Sequence, residues 1–136
     1  MRDLFGNPGA KATPPADERR AMGWRRDSWI GIVGEAGYQE VIQKAIDGQG
    51  RQALASLVPE PGNVDDPNAV AVRIDGHTVG YLSPDLARKY GALLSSRPTP
   101  MTCPATLNGG EWDRPYLTVV LDFSLVYAAA REASLK

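Results

Sequence analysis

The hydrophobic and polar positions of this chain alternate in several short runs, which is the period of a strand with one face buried in a sheet. The clearest runs span residues 70–74 and 116–125. The second run is the longest, and it predicts a central strand with Phe123 and Leu125 on its buried face. Less regular apolar runs predict four more strands, over residues 29–34, 51–58, 78–82 and 101–107.

Two segments carry the three-and-four spacing of an amphipathic helix. The first runs from Tyr38 to Ile46 and is closed by Gly48. The second begins at Ser83-Pro84-Asp85, where a capping hydroxyl, a proline at the first helical position and an acid near the positive end of the helix dipole follow one another. Short helices set among largely antiparallel strands predict an α+β fold or a small, partly open barrel.

Turn-forming residues mark the connections between the predicted strands. Asp75-Gly76 is a strong two-residue hairpin signal between the strands at 70–74 and 78–82. Gly80, inside the second of these strands, indicates a bulge or the close approach of another backbone. Gly, Pro, Asn and Asp crowd into residues 61–68, so we expect a tight polar loop that displays its side chains.

Length and composition indicate one domain with tails. A chain of 136 residues suffices for a single core. We expect residues 1–27 to form a flexible, arginine-containing arm, residues 28–127 the folded domain and residues 128–136 a C-terminal tail. No apolar run approaches the roughly 18 residues that cross a bilayer, and a lone Cys103 favours a reducing compartment. A cytoplasmic protein without a membrane partner is therefore expected.

The formal charge is unevenly distributed along the chain. Residues 1–29 carry six basic and four acidic side chains, a net of +2, whereas residues 30–127 carry seven basic and eleven acidic ones, a net of -4. Because affinity for duplex DNA comes mainly from neutralised phosphates, the acidic part argues against tight, sequence-blind duplex binding. If nucleic acid is the partner, we expect a small local feature to be recognised, with the arginines of the arm either contacting phosphates or simply solvated.

Signals for catalysis are weak. The chain has one histidine, His77 at the predicted hairpin, and one cysteine, Cys103 in a predicted strand. Two such residues are too few for a usual structural zinc site, which takes four ligands. The acidic residues Glu60, Asp65, Asp66 and Asp75 are the candidates for holding a divalent metal, although Asp is also a residue type that braces turns. We therefore predict no enzymatic activity, no metal and no cofactor, and keep a metal-dependent phosphodiester hydrolase as an alternative.

Two tyrosines favour a binding surface instead. Tyr38 opens the first predicted helix, and Tyr81 lies in the strand that follows the hairpin. An exposed ring beside a polar loop can stack on a base. The alternative is that both rings cover the edge of the core with their hydroxyls in water.

Several spaced motifs resemble the HIRAN domain. They are Val33-Gly34-Glu35 with Tyr38-Gln39, the loop pattern Glu60-Pro61-x-Asn63-x-x-Asp66-Pro67-Asn68-Ala69-Val70-x-Val72, Asp75-Gly76, and Val79-Gly80-Tyr81-Leu82. This family is found at the N-terminus of fork-remodelling helicase-like ATPases and as free-standing or nuclease- and helicase-linked modules in bacteria and phages. The resemblance implies an α+β fold: a small, partly open OB-like β-barrel of about six strands with two short helices.

The best understood HIRAN domain recognises the free 3′-hydroxyl end of single-stranded DNA, and the resemblance implies roles for residues of this chain. Asn63 and Asp66 correspond to groups that hydrogen-bond the terminal sugar hydroxyl, and Tyr38 to a ring that stacks on a terminal base. Tyr81 stands where a histidine is expected, and Asp65 where the loop carries an aromatic residue. A carboxylate accepts a hydrogen bond from a 3′-hydroxyl but repels a 3′-phosphate, so discrimination is expected from repulsion as well as attraction.

We therefore predict a non-enzymatic module that binds the 3′-hydroxyl end of single-stranded DNA and serves DNA repair or replication. Its predicted contact residues are Tyr38, Asn63, Asp65, Asp66 and Tyr81. A helicase or nuclease chain is the expected protein partner. The main alternative is a protein–protein interaction module that has lost DNA binding.

Overall fold

The computed structural model describes residues 28–134, so the predicted N-terminal arm lies outside the described part. Six strands are formed within these residues: β1 (Trp29–Gly31), β2 (Gln52–Pro59), β3 (Val70–Ile74), β4 (His77–Tyr81), β5 (Met101–Asn108) and β6 (Thr118–Asp122). The same residues form three α-helices, α1 (Gln39–Gln49), α2 (Pro84–Ser95) and α3 (Ser124–Ser134), and a 3-10 turn at Glu35–Tyr38. None of the helices in this range is long and apolar enough to span a membrane.

The six strands form one antiparallel sheet in the order β1-β6-β5-β2-β3-β4. The sheet curls until its two edges meet, because Val33, just after β1, exchanges two backbone hydrogen bonds of 2.8 Å with Tyr81 of β4. The segment that leaves one edge of the sheet thus pairs with the other edge. The result is a curled half-barrel with helices, and the predicted small α+β, OB-like fold is confirmed.

Gly80 lies where the two edges meet, and both of the features expected from its position are present. The pairing of β3 with β4 shifts between Val72 and Arg73, which inserts one extra residue into β4. A Cβ atom on Gly80 would lie 2.6 Å from Ile32 Cδ1 and 2.8 Å from the carbonyl oxygen of Val33. Only a residue without a side chain therefore allows Val33 to pair with Tyr81 at its observed distance.

We expect Gly80→Ala to lower the free energy of unfolding by about 1–3 kcal/mol, because the added methyl group must displace the backbone that closes the barrel. Gly91→Ala is the matched control, since within residues 28–134 no atom outside its own helix backbone and chain neighbours lies within 4 Å of the corresponding Cβ position on α2. Alanine in that helix should raise the free energy of unfolding by about 0.5–1 kcal/mol. Urea denaturation measures both values, and a Gly80→Ala protein as stable as the wild type would contradict the tight closure.

The core lies between the inner face of the curled sheet and the helices. Val70, Val72 and Ile74 alternate into it as the sequence predicts, and Phe123 is also fully buried. Cys103 belongs to the same core, and burial together with the nearby Asp122 carboxylate raises the pKa of its thiol to about 12. The thiol therefore stays protonated and acts as a small apolar side chain.

The predicted strand over residues 116–125 is wrong in its length, its position and its final residues. β6 covers only Thr118–Asp122 and lies between the edge strand β1 and β5, so it is not the central strand. A helix, α3, follows where the strand was expected to end, and it places Leu125 on the surface with 56% of its area exposed. α3 also continues through residue 128, where the sequence had suggested that a tail begins.

The chemistry of this junction explains the difference. The Asp122 carboxylate accepts a hydrogen bond of 3.0 Å from the backbone N–H of Ser124, which turns the chain out of the sheet. The backbone N–H of Tyr127 then donates to the carbonyl of Phe123 and closes the first helical turn. Leucine at residue 125 continues the alternating pattern by coincidence, because Val126 and Ala129 are the positions that α3 buries.

Candidate nucleic-acid interface

The turn that carries Tyr38 is fastened to the sheet by two polar side chains. The side-chain amide of Gln39 donates to the carbonyl of Leu117 at 2.9 Å and accepts from the N–H of Leu117 at 2.8 Å. Glu35, only 8% exposed, accepts a hydrogen bond from the N–H of Val119 at 3.2 Å. These side chains pair with backbone as a neighbouring strand would, so they fix the start of α1 against the chain that enters β6.

Tyr38 and Tyr81 form an aromatic pair at the mouth of α1. Their ring centroids lie 6.5 Å apart with the planes tilted by 50°. Both side chains are half-buried, and Tyr38 packs against the edge of the core. Each ring thus keeps part of its area in solvent, and stacking on a base stays a prediction. The alternative drawn from the sequence is wrong for the hydroxyl of Tyr81, which donates a hydrogen bond to Glu60.

The hydroxyl of Tyr81 connects this pair to the polar loop, and its single proton is already in use. It donates a hydrogen bond of 3.0 Å to Oε1 of Glu60, and the same oxygen accepts one of 3.0 Å from Nδ2 of Asn63. Burial, followed by the hydrogen bond to Glu60 and the neighbouring Tyr38, raises the pKa of Tyr81 to about 12. The phenol thus stays protonated at neutral pH, and Tyr81 offers a ligand its ring.

Asn63 braces the loop from the inside. Its Oδ1 accepts hydrogen bonds from the N–H groups of Asp65, at 2.9 Å, and Asp66, at 3.1 Å. Both acceptor sites of that oxygen are occupied, and Nδ2 is committed to Glu60. In the structure, Asn63 therefore stabilises the conformation of the loop. Direct contact with a sugar hydroxyl stays a prediction, and it depends on the one N–H of the Asn63 side chain that has no partner in the loop.

Asp66 is placed differently from Asn63. Its Oδ1 accepts a hydrogen bond of 2.9 Å from the N–H of Asn68, which is a common turn arrangement. Its Oδ2 has no hydrogen-bond partner among residues 28–134, so one carboxylate oxygen remains for a ligand. Asp65 is exposed at the rim of the loop.

These contacts join the predicted residues into one surface. A chain of contacts runs from Tyr38 through Tyr81, Glu60 and Asn63 to the backbone of Asp66. Two cavities of about 350 and 340 Å³ lie near these elements, and neither is lined by Tyr38 or Tyr81. The larger lies between the loop and α2, and the smaller between α1 and the β3–β4 turn.

Sequence patterns did not identify the role of Glu60 in connecting the surface, and they did not place Arg73 beside that surface. The Glu60 carboxylate accepts hydrogen bonds from Tyr81 and Asn63 and forms an ion pair with Arg73. Glu60 is 21 residues from Tyr81 in the chain. Arg73 is on β3 between two buried residues, and its Nη2 lies 3.8 Å from Oε2 of Glu60. The signal that could have found Arg73 is its place in the alternating run, which puts it on the outer face beside the loop.

The acidic residues of the loop are not gathered as metal ligands. No group of three or more His, Cys, Asp or Glu side chains within residues 28–134 is arranged to hold a metal ion. Glu60, the first carboxylate of the hydrolase alternative, instead accepts hydrogen bonds from Tyr81 and Asn63.

Fold and surface together define a class of domain: a small OB-like half-barrel with an aromatic pair beside an acidic, internally braced loop. In comparisons with known proteins, no family model, no curated protein and no solved structure matches the chain.

Proposed function

We propose that this domain binds the 3′-hydroxyl end of single-stranded DNA. The observation that carries the proposal is the continuous set of contacts that places the Tyr38–Tyr81 ring pair beside the loop presenting Asp66. Tyr38 stacks on the terminal base, and the unbonded oxygen of Asp66 accepts a hydrogen bond from the terminal hydroxyl. The residues involved are those of the motifs that resemble the HIRAN domain.

The chemistry of the loop favours a hydroxyl end over other ends. A carboxylate oxygen attracts a hydroxyl donor, whereas a 3′-phosphate brings negative charge to the same place. A duplex end keeps its terminal base paired and stacked, so the base is less available to Tyr38. Such selectivity suits DNA repair or replication beside a helicase or nuclease partner. We propose a cytoplasmic location, where proteins generally lack disulfides, because Cys103 is the single cysteine of the chain.

The test is a polarisation titration with labelled oligonucleotides that differ only at the 3′ end. Wild-type protein should bind the hydroxyl end at least about tenfold more tightly than the phosphate end, since a hydrogen bond to a charged group contributes about 1.5–3 kcal/mol. Asp66→Asn should abolish most of that preference, because the amide removes the charge while its oxygen can still cap the N–H of Asn68. Glu132→Gln, on the exposed end of α3, removes the same charge elsewhere and should keep the preference.

Other results would assign a different function. Equal affinity for hydroxyl, phosphate and duplex ends would contradict end recognition. Cleavage of the oligonucleotide that depends on added magnesium would support the hydrolase. Absence of binding to every oligonucleotide would support the protein-interaction module.

One observation favours that protein-interaction module as a second candidate. Trp112 is 94% exposed at the tip of a tight turn in which Glu111 and Arg114 exchange two backbone hydrogen bonds. Exposed tryptophans are enriched among the residues that contribute most to protein–protein affinity.

A further inference from the structure

Arg73 is a cation at the candidate interface with unused capacity to donate hydrogen bonds. Its side chain is 40% exposed, and its Nη2 lies 3.8 Å from Oε2 of Glu60, close enough for an ion pair but too far for a hydrogen bond. Its Nε is buried and has no hydrogen-bond partner within residues 28–134. A ligand cannot reach the buried Nε, but the exposed part of the guanidinium group can bind a second anion.

The surroundings of Arg73 indicate which anion fits. Oε1 of Glu60 already accepts hydrogen bonds from Tyr81 and Asn63, so Arg73 lies next to the carboxylate that joins the ring pair to the loop. A strand terminus stacked on Tyr38 would carry its backbone phosphate over the same small surface. Guanidinium groups bind phosphate oxygens with paired, charge-assisted hydrogen bonds.

Several other basic residues of the domain are engaged elsewhere. Arg51 donates to the carbonyl of Leu107, Arg88 pairs with Asp85 on α2, and the Lys89 ammonium lies 5.5 Å from the centre of the Tyr90 ring. Residues 30–127 carry a net formal charge of -4, so a phosphate brought to this domain meets repulsion unless a cation lies close by. Arg73 is a cation at the required place.

We propose that Arg73 binds the last phosphodiester of the captured strand, the linkage between the terminal and the penultimate nucleotide. This inference rests on the proposed function and adds the group that recognises the DNA backbone. It also sets the smallest ligand: a 3′-terminal nucleoside together with the phosphate on its 5′ side. Glu60 keeps its hydrogen bonds to Tyr81 and Asn63 while Arg73 contacts the phosphate.

The experiment uses oligonucleotides with a free 3′-hydroxyl in which one linkage is replaced by an uncharged methylphosphonate. Replacement of the last linkage should weaken binding to the wild-type protein about tenfold, in line with the loss of one charge-assisted hydrogen bond. Arg73→Gln should bind the native oligonucleotide about tenfold more weakly and should not distinguish the two oligonucleotides, because each change removes the same contact. Replacement of the fifth linkage from the end should affect both proteins equally.

Salt dependence gives a second readout that a purely structural role of Arg73 would not change. The slope of log affinity against log salt should fall by about 0.7 in Arg73→Gln, the value for one phosphate of a single strand. Arg73→Lys should restore the slope, since it keeps the charge. Arg88→Gln, an arginine change on α2, should leave both the slope and the methylphosphonate effect unchanged.

The outcomes separate this inference from the proposed function. If the last methylphosphonate weakens wild type and Arg73→Gln equally, or weakens neither, Arg73 does not contact that phosphate, while a preference of the wild type for hydroxyl ends would still stand. If the wild type binds no oligonucleotide, both proposals fail.

Discussion

Replacement of Phe123 by alanine is expected to lower the free energy of unfolding by about 3–5 kcal/mol, the usual effect of removing a fully buried aromatic ring. Phe123 packs edge-on against Tyr90 of α2, with centroids 5.6 Å apart, and against Tyr127 of α3, at 5.5 Å. No part of its surface is exposed. The ring therefore joins both C-terminal helices to the sheet, and its loss leaves a cavity between them.

Leu125→Ala is the control that distinguishes the structure from the strand predicted by the alternating pattern. In the predicted strand both side chains face the core, so both alanine variants would strongly destabilise the protein. In the structure Leu125 lies on the outer face of α3, and its replacement should change the free energy of unfolding by less than about 1 kcal/mol. Urea denaturation of the two variants measures the difference, and equal large losses would contradict the helix.

Features that depend on a few adjacent residues were predictable from the sequence. The Asp75-Gly76 turn forms with both residues at positive φ, 53° and 79°, which is why that pair signals a hairpin. The Ser83 hydroxyl accepts a hydrogen bond from the N–H of Leu86 and begins α2 as its capping signal indicates. In both cases the local chemistry alone favours one backbone conformation.

The change from β6 to α3 could not be predicted in the same way, because some of the same apolar residues fit both the alternating pattern of a strand and the three-and-four spacing of a helix. Phe123 is buried under either interpretation, so it does not separate them. The structure shows a hydrogen bond from the Ser124 N–H to the Asp122 carboxylate where the chain leaves the sheet, and a short side-chain contact of this kind occurs in many turns, so the sequence alone does not identify it as the start of a helix.

The candidate site was predictable as a set of residues but not as a set of contacts. Tyr38, Tyr81 and the loop were identified from motifs, whereas the link through Glu60 depends on a hydrogen bond between residues 21 positions apart. The role of Asn63 could not be fixed either, because the same amide can hold a loop or hold a ligand. In the folded loop the Asn63 side-chain oxygen accepts hydrogen bonds from the backbone N–H groups of Asp65 and Asp66, an arrangement that no local sequence pattern specifies.

The second large effect is expected from Tyr38→Ala, which should weaken binding of 3′-hydroxyl single-stranded DNA by about 5- to 150-fold. This range corresponds to the roughly 1–3 kcal/mol that stacking of a base on an aromatic ring contributes. Tyr38 is half-buried at the edge of the core, so a parallel urea titration must show that the variant is folded under the binding conditions.

Tyr38→Phe is the matched control, because it keeps the ring and removes only the hydroxyl next to Tyr81. Stacking requires the ring alone, so this variant should bind with nearly wild-type affinity. If Tyr38→Phe binds as weakly as Tyr38→Ala, the hydroxyl and not the ring makes the contact. If Tyr38→Ala is folded and binds like the wild type, the ring serves only to cover the core edge. The aromatic pair would then carry no recognition of DNA, and the loop with Asp66 would lack a neighbouring surface for the terminal base.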